Sequence, residues 1–347
     1  MSKRLALSGA SGFIGSHFLE YILETTDWDV ICISSWKHKG TPERIEEVLT
    51  KNESWQDRVK VITHDLESPI TAMTKARIGD VDYIVNFASD SHVDRSISDP
   101  VPFIQNNVNL MLNMLEFARQ QLIPCIGGDA PKLKAFIQVS TDEVYSAAPD
   151  GTRYKEWSEI LPSNPYAASK AAQEAIAISY WRTYGVPLVI TNTVNNFGET
   201  QDTEKYLARL IKTIEKGETV TVHGSEGNIG GRFYLHAKNH ASAIKHIIEN
   251  NLVTKYEDSL DKVYPARYNV TSDDEVDNLT MAKLVAEIMG KELKYELTDF
   301  HATRNGHDRR YALDGTKLKE TGWELEFPLR PALDNYIKWT LENKHWI

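Results

Sequence analysis

Residues 140–145 combine hydroxyl groups, two adjacent carboxylic acids and an aromatic ring. They follow the apolar run 134–139, which predicts a buried strand. In an open parallel sheet, ligands bind beyond the carboxyl ends of the strands. The strand would then deliver the Thr141 hydroxyl and the adjacent carboxylic acids of Asp142 and Glu143 to a ligand site at that end. A Ser/Thr/Asp turn that only closes the strand is the competing interpretation.

A second reactive pair, Tyr166 and Lys170, follows the helix-breaking dipeptide 164–165. Positions four apart lie on one face of a helix. An ammonium group beside a phenol lowers the pKa of that phenol and makes it a base near neutral pH. A chance pair at the start of an amphipathic helix is the alternative. The two stretches occur in one chain with a glycine loop at its start, which favours the catalytic interpretation.

The start of the chain indicates a dinucleotide site. A short strand at 4–7 is followed by Gly9, Gly12 and Gly15, and then by helical periodicity over 16–24. Glycine lets the backbone approach a pyrophosphate, and the helix N-terminus supplies free amides and a positive dipole end. The spacing, Gly-x-x-Gly-x-x-Gly, differs from the Gly-x-Gly-x-x-Gly of the common dehydrogenases.

The end of the next strand, 28–33, bears on which dinucleotide is bound. An NAD site usually places an acid there, bonded to the adenosine ribose. This chain instead has Ser34 and Ser35 followed by a basic cluster that includes Lys37. Hydroxyl and basic groups suit a 2′-phosphate, so the sequence favours NADP+ over NAD+. A solvated basic loop is the alternative.

Two further strands, 59–63 and 81–86, are predicted to end beside the dinucleotide. Asp65 can reach an adenine edge or close a turn, and the small residues Ala88 and Ser89 allow a cofactor to pass closely. The predicted cofactor contacts are Gly9, Ser11, Gly12, Phe13, Ile14, Gly15, Ser34, Ser35, Lys37, Asp65, Leu66, Phe87, Ala88, Ser89, Asn107, Tyr166 and Lys170.

The order of elements predicts an α/β fold with a doubly wound parallel Rossmann-type sheet. Strands and helices alternate as far as a sixth strand at 187–191, after which the pattern loosens. We assign residues 1–192 to the dinucleotide-binding domain, with 232–252 returning to it. Residues 193–231 and 253–347 form a smaller α/β lobe that binds the substrate.

Composition limits the partners. The chain of 347 residues has a formal net charge of −10, which argues against nucleic acid and anionic membranes. Its two cysteines, Cys32 and Cys125, indicate a reducing compartment without a disulfide framework. The start of the chain reads directly into a strand, and no apolar run is long enough to span a bilayer, so a cytoplasmic protein is expected.

An anionic substrate needs a local basic pocket in such an acidic chain. Basic groups concentrate at 304–311, where we would place a diphosphate, with surface salt bridges as the alternative. His236 and His240 could present two imidazoles to a metal ion, but no third ligand stands at a suitable spacing. No metal is therefore expected.

These residues resemble the extended short-chain dehydrogenase/reductases over nearly the whole chain, and among them the dTDP-glucose 4,6-dehydratases. The most specific motif is Ser-Thr-Asp-Glu-Val-Tyr at 140–145, because relatives that only epimerise or decarboxylate lack its acid pair. The glycine loop, Tyr-x-x-x-Lys and the segments 91–97, 195–198 and 306–311 are also similar. The departures are Ser8 in place of Thr, the missing acid after the second strand, Asn305 in place of Pro, and Arg-Phe-Tyr-Leu-His-Ala at 232–237 in place of Arg-Asp-Trp-Leu-Tyr-Val.

The resemblance implies a reaction on a hexose ring. Tyr166, held as a phenolate by Lys170, would take the proton of the 4-hydroxyl while hydride passes from C4 to the oxidised nicotinamide. Thr141 would hydrogen-bond the 4-oxygen. Glu143 would then remove the proton on C5, and Asp142 would protonate the departing 6-hydroxyl. Return of hydride to C6 would give a 4-keto-6-deoxy sugar and regenerate the cofactor.

The resemblance also implies a nucleotide-sugar substrate and a homodimer formed by helices near 101–121 and 166–184. The implied substrate contacts are Ser91, His92, Asn195, Asn196, Lys205, Arg232, Arg304 and His307. One alternative is a 4-epimerase or decarboxylase of the same fold, which needs no acid for a leaving hydroxyl. The other is a non-catalytic NAD(P)-binding sensor, which has no use for the four acid-base groups. The nucleoside, whether dTDP, UDP, GDP or CDP, stays open.

Overall fold

The central sheet has seven parallel strands in a computed structural model that describes residues 2–123, 132–255, 264–298 and 308–347. Numbered along the chain, they are β1 (Arg4–Ser8), β2 (Asp29–Ser34), β3 (Val59–Thr63), β4 (Tyr83–Asn86), β5 (Ala135–Thr141), β6 (Leu188–Thr193) and β11 (Ala266–Val270). Their order is β3-β2-β1-β4-β5-β6-β11, which confirms the predicted doubly wound sheet. Because the order reverses direction between β1 and β4, a crevice opens at the carboxyl ends of these strands.

Helices cover both faces of this sheet and build the second lobe. They are α1 (Phe13–Thr25), α2 (Pro42–Leu49), α3 (Ala72–Ile78), α4 (Val93–Ser98), α5 (Pro100–Gln121), α6 (Pro165–Tyr184), α7 (Tyr206–Glu215), α8 (Ala237–Glu249), α9 (Asn278–Met289), α10 (Thr316–Lys319) and α11 (Leu329–Glu342). In the described part of the chain, no helix combines the length and apolarity needed to cross a membrane.

The apolar strands are buried on both sides because successive side chains point to opposite faces. On one face, Leu7 packs in a cluster with Phe18 of α1 and Ile244 of α8. On the other, Ala6 packs in a cluster with Met111 of α5. The sheet is therefore a rigid platform whose strand ends hold the site.

The second lobe contains two small three-stranded sheets. One joins β7 (Asn195–Phe197), β10 (Gly231–His236) and β12 (Glu275–Asp277), and the other joins β8 (Val220–Ser225), β9 (Asn228–Ile229) and β13 (Tyr295–Thr298). A third apolar cluster lies among them and includes Phe197, Val285 of α9 and Leu333 of α11.

The structure differs from the sequence predictions at two places that matter for the site. Strand β5 continues past 139 because Ser140 and Thr141 pair with the end of β6, so Thr141 lies in the strand itself. Strand β11 pairs with β6 at the edge of the central sheet. Residues 266–270, which we assigned to the second lobe, therefore extend the central sheet.

The helix break before Tyr166 is confirmed. Asn164 caps α6, its side-chain oxygen accepting from Ala167 N at 2.9 Å, and Pro165 occupies the first helical position. This cap fixes where the helix starts, and hence the direction in which the side chains of its first two turns leave the backbone. Tyr166 and Lys170 both lie in those turns.

Candidate active site

A cavity of about 460 Å³ lies at the carboxyl ends of β1, β4, β5 and β6. Tyr166 and Lys170 line it from the central sheet's side, and Arg209, Arg232 and Asn278 line it from the second lobe. The smaller lobe thus forms the opposite wall of the crevice expected from the strand order.

The glycine loop forms the wall of this cavity next to β4. Gly9 has φ +76°, and a Cβ there would lie 2.8 Å from Ala88 N. A Cβ on Gly15 would lie 2.1 Å from Gly9 O. Gly12 caps α1 without a side chain, and residues 12–15 line the cavity. These contacts leave a cradle of bare backbone at a helix N-terminus, which fits the diphosphate of a dinucleotide.

The structure brings the predicted cofactor residues together, with one exception. Those that line the cavity are Gly9, Ser11, Gly12, Phe13, Ile14, Gly15, Ser34, Ser35, Lys37, Asp65, Leu66, Phe87, Ala88, Ser89, Tyr166 and Lys170. Asn107 is fully buried instead and bonds Asp90 through both its oxygen and its nitrogen, at 2.7 and 3.0 Å, and Ser169 Oγ at 2.8 Å. It fixes the loop after β4 against α6, so its contribution to the site is indirect.

The lysines of the basic loop after β2 form ion pairs with acidic side chains of the same chain. Lys37 pairs with Asp65, and Lys39 Nζ lies 3.1 Å from Asp202 and 3.3 Å from Glu204. The buried hydroxyl of Ser34 has no hydrogen-bond partner among the described residues. A ligand phosphate at this loop would therefore compete with Asp65 for Lys37.

Tyr166 is buried at the cavity with its phenol beside Thr141. Burial and the charge of Glu143 raise the pKa of Tyr166, while a hydrogen bond with the Thr141 hydroxyl opposes this change. The phenol by itself is therefore neutral at physiological pH. A base at this position needs additional positive charge in the cavity.

The ammonium of Lys170 is directed by two hydrogen bonds. Its Nζ donates to Val139 O at 2.8 Å and to Gln173 Oε1 at 2.7 Å, and burial lowers the pKa of Lys170 to about 7. We expected Lys170 to lower the pKa of Tyr166, but burial sets that pKa in this structure. The reason is that both groups are enclosed and the lysine is bonded to neutral oxygens.

The two adjacent acids occupy different environments. Asp142 is buried and receives a hydrogen bond from Thr141 Oγ1 at 3.1 Å, whereas Thr141 and Glu143 line the cavity. Burial, followed by the charge of Glu143, raises the pKa of Asp142 to about 7. Burial also raises the pKa of Glu143, against the charge of Lys205 and a hydrogen bond from Asn164 at 3.3 Å. The two acids therefore differ in access, because Glu143 faces the cavity and Asp142 lies buried behind it.

Replacing Asp142 by asparagine should stabilise the fold at alkaline pH. The ordinary pKa of 3.8 rises to about 7 on folding, so unfolded chains ionise this carboxyl between these values while folded chains do not. The resulting deficit is absent below pH 4 and complete above pH 7. We expect Asp142→Asn to raise the free energy of unfolding by ~1 kcal/mol or more at pH 8, with no gain at pH 4. Urea unfolding at both pH values measures this, and an equal effect at both would contradict the assignment.

A buried polar network anchors the turn that carries the acids. Asn192 Nδ2 donates to Thr141 O at 3.1 Å and to Glu174 Oε1 at 2.8 Å. Glu174 Oε2 lies 2.6 Å from Arg267 Nη2, and both side chains are fully buried. Arg267 also donates to the hydroxyl of Tyr145 at 3.2 Å. Both ends of the turn are therefore fixed by residues that sequence spacing did not connect.

Most predicted substrate contacts also converge. Those that line the cavity are Ser91, His92, Asn195, Asn196, Lys205 and Arg232. Lys205 Nζ donates to Ser91 O at 2.9 Å, and the Arg232 guanidinium lies 4.6 Å from the Tyr311 ring centroid. Arg304 and His307 lie outside the described residues.

At the end of the basic segment 304–311, two arginines form salt bridges, whereas we expected a diphosphate site there. Arg309 pairs with Asp150 at 2.6 Å and Arg310 pairs with Glu275, and neither arginine lines the cavity. Tyr311 does line it, and its hydroxyl donates to Glu143 Oε2 at 3.4 Å. For the described residues, salt bridging is therefore the better explanation of the arginines.

Sequence reasoning missed the far end of the cavity. Tyr206, Arg209, His223, Tyr234 and Asn278 line it. Tyr206 and Arg209 share α7, but the others come from β8, β10 and α9, so local spacing does not link the whole set.

His236 lies beside His17 and Glu199, and not beside His240 as the sequence spacing suggested. Ligand atoms of His17, Glu199 and His236 lie within 4.8 Å of one another, while His240 is buried against the ring of Phe87. His236 Nδ1 accepts from Lys238 N at 3.3 Å, so its neutral form carries hydrogen on Nε2 and donates it to Glu199. That tautomer has no lone pair on Nε2 to offer a metal ion.

The doubly wound sheet, the glycine cradle and the Tyr166/Lys170 pair at the strand ends define an extended short-chain dehydrogenase/reductase. The family described as GDP-mannose 4,6 dehydratase matches residues 7–335, and the chain belongs to this family.

Named relatives extend over almost the full chain. The low-salt glycan biosynthesis protein Agl12 of Haloferax volcanii is 32% identical over 336 residues, which cover 96% of this chain and 97% of that protein. A probable dTDP-glucose 4,6-dehydratase of Sinorhizobium fredii is 31% identical over 352 residues, or 99% and 94% of the two chains. The crystal structure of DesIV, a dTDP-glucose 4,6-dehydratase of Streptomyces venezuelae with NAD bound, has a TM-score of 0.82 at 28% identity and covers 99% of this chain and 98% of that one.

Proposed function

We propose that the protein is a nucleoside-diphosphate-hexose 4,6-dehydratase, a hydro-lyase of deoxysugar biosynthesis that converts dTDP-glucose to dTDP-4-keto-6-deoxyglucose and water. The observation that carries this proposal is the pair of adjacent acids: Glu143 lines the cavity with Thr141 and Tyr166, and Asp142 lies behind it, hydrogen-bonded to Thr141. An epimerase or decarboxylase has no leaving hydroxyl to protonate, and a sensor needs none of these groups. Relatives named dTDP-glucose 4,6-dehydratase support the same reaction.

The side chains divide the work between oxidation and elimination. When bound in this cavity, an oxidised dinucleotide would supply a hydride acceptor and a positive charge. Tyr166 then takes the proton of the 4-hydroxyl, and Thr141 orients that oxygen. Glu143 removes the C5 proton once C4 is a ketone, and Asp142 protonates the departing 6-hydroxyl.

Mass spectrometry of the sugar product tests the function. The purified protein is incubated, without added cofactor, with dTDP-, UDP-, GDP- and CDP-hexoses. Loss of one water from dTDP-glucose supports the proposal and shows that the dinucleotide is recycled. An unchanged mass with altered sugar stereochemistry by NMR would indicate the epimerase. No turnover of any sugar by dinucleotide-loaded protein would favour the sensor.

We propose NADP+ over NAD+ as the dinucleotide, although the DesIV structure holds NAD. The support is the loop after β2, where no acid follows the strand, Ser34 has a buried unpaired hydroxyl among the described residues, and Lys37 lines the cavity. A 2′-phosphate would take Lys37 from Asp65.

Lys37→Ala should weaken NADP+ binding by about 10-fold and leave NAD+ binding nearly unchanged, because only NADP+ has the extra phosphate for a charged hydrogen bond. Dissociation constants for both dinucleotides measure this. Lys338→Ala, an exposed lysine on α11, is the matched control. Tighter binding of NAD+ by the parent protein, with no effect of the substitution on NADP+, would reverse the preference.

A cytoplasmic homodimer completes the proposal. Val101 is 60% exposed and Ile104 is 36% exposed on α5, and Tyr184 is 48% exposed at the end of α6. These apolar groups lie on the two helices expected to pair with a second copy. The buried free thiol of Cys32 fits a reducing compartment. Analytical ultracentrifugation distinguishes a dimer from a monomer.

A further inference from the structure

The buried guanidinium of Arg44 contacts three backbone carbonyls. Arg44 lies in the first turn of α2 and is 3% exposed. Its Nε and Nη2 donate to Thr200 O at 3.3 and 3.0 Å. Its Nη1 donates to Ser11 O at 3.3 Å and to Lys39 O. All three guanidinium nitrogens of Arg44 therefore donate to carbonyls, and these carbonyls belong to residues that lie far apart in the sequence.

These carbonyls belong to three different loops at the cofactor cavity. Ser11 is in the glycine loop, Lys39 is in the basic loop after β2, and both residues line the cavity. Thr200 follows β7 in the second lobe, next to the lining residue Gln201, and its φ is +61°. Arg44 thus joins the dinucleotide-binding sheet's loops to the smaller lobe.

Other contacts hold the same loops in register. Thr41 N donates to Ser11 O at 3.1 Å, and a Cβ on Gly40 would lie 2.7 Å from Ser11 Oγ. Lys39 crosses to the second lobe through its ion pair with Asp202 at 3.1 Å. The Lys39 ion pair is exposed, and the Thr41 hydrogen bond is made by the backbone alone. The Arg44 guanidinium, in contrast, is buried. Screening by solvent weakens the exposed ion pair but not the buried guanidinium.

We infer that Arg44 is a positioning residue that keeps the loops of the cavity closed around the dinucleotide and so slows its release. Arg44 itself reaches the cavity wall, and it holds the glycine cradle through Ser11 O. The inference rests on the proposed function in one respect, namely that a cofactor regenerated in every turnover has no need to leave.

Arg44→Met should release the dinucleotide at least about 10-fold faster, because hydrogen bonds to a charged donor are lost and three carbonyls are left without it. The rate is measured by diluting dinucleotide-loaded protein and separating free from bound dinucleotide over time, with no sugar present. Dehydratase activity of the variant should decay after dilution and return on addition of NADP+. Arg44→Lys keeps the charge but cannot bond three carbonyls, so this variant should also release the dinucleotide faster. If Arg44→Met does not fold, the release rate of Arg44→Lys tests the inference.

Arg58→Met is the matched control. Arg58 also donates to three backbone carbonyls, at Leu23, Thr26 and Trp28, but all three belong to one lobe, and Arg58 does not line the cavity. Its release rate should equal that of the parent protein. An unchanged rate in both Arg44 variants, or an equal increase in the Arg58 variant, would overturn the inference. Because the rate needs no sugar, a protein that dehydrated none would leave this result valid.

Discussion

Glu143→Gln is expected to slow dehydration by ~100- to 10,000-fold while C4 oxidation continues. Glutamine keeps the length of the side chain and an oxygen for Asn164 and Tyr311, which both donate to Glu143 Oε2. It cannot accept the C5 proton. The reduced dinucleotide should therefore accumulate when substrate is added, and its near-ultraviolet absorbance measures it directly.

Glu159→Gln controls for loss of a carboxylate from the surface. Glu159 is exposed, and its substitution should leave turnover at the level of the parent protein. Binding of the nucleotide sugar should be nearly the same in all three proteins. A Glu143→Gln variant that lost sugar binding as strongly as turnover would show that the carboxylate holds the substrate rather than removing a proton.

Tyr166→Phe is expected to reduce turnover by ~100- to 10,000-fold and to leave the dinucleotide oxidised. The Tyr166 phenol lies at the cavity and hydrogen-bonds with the Thr141 hydroxyl. Phenylalanine removes the phenol oxygen but fills the same space. Without a proton acceptor for the 4-hydroxyl, hydride transfer from C4 does not begin. Rapid-mixing absorbance measures the failure of the first step.

Tyr295→Phe is the matched control, because Tyr295 lies on β13, does not line the cavity and is 45% exposed. It should turn over like the parent protein. The contrast with Glu143→Gln is the informative result, since one variant should accumulate reduced dinucleotide and the other should not. Accumulation in Tyr166→Phe would contradict the assignment of this phenol to the oxidation step.

The parts of the site that follow one another in sequence could be predicted from it. The glycine loop, the acid pair and the Tyr166/Lys170 pair each lie within a few residues, at a strand end or a helix start, where local chemistry sets the structure. Strand β3 was predicted with the observed bounds, Val59–Thr63. Periodicity and turn residues suffice for elements of this kind.

Features that depend on tertiary contacts could not be predicted from periodicity and turn residues. Arg44 and Arg267 look like ordinary charged residues in sequence, and only the folded chain encloses them against carbonyls and Glu174. Asn107 was predicted at the cofactor because it lies on the helix beside the site, but its amide bonds Asp90 and Ser169 instead. The pKa of Tyr166 likewise follows from burial, which spacing to Lys170 does not reveal.

The most direct test of the central claim follows one hydrogen through a turnover. dTDP-glucose labelled with deuterium at C4 is converted by the purified protein, and the product is analysed by NMR and mass. Intramolecular oxidation, elimination and hydride return predict that the deuterium is found at C6 of a product that has lost one water. Deuterium that remained at C4, or was lost to the solvent, would contradict the reaction proposed for this site.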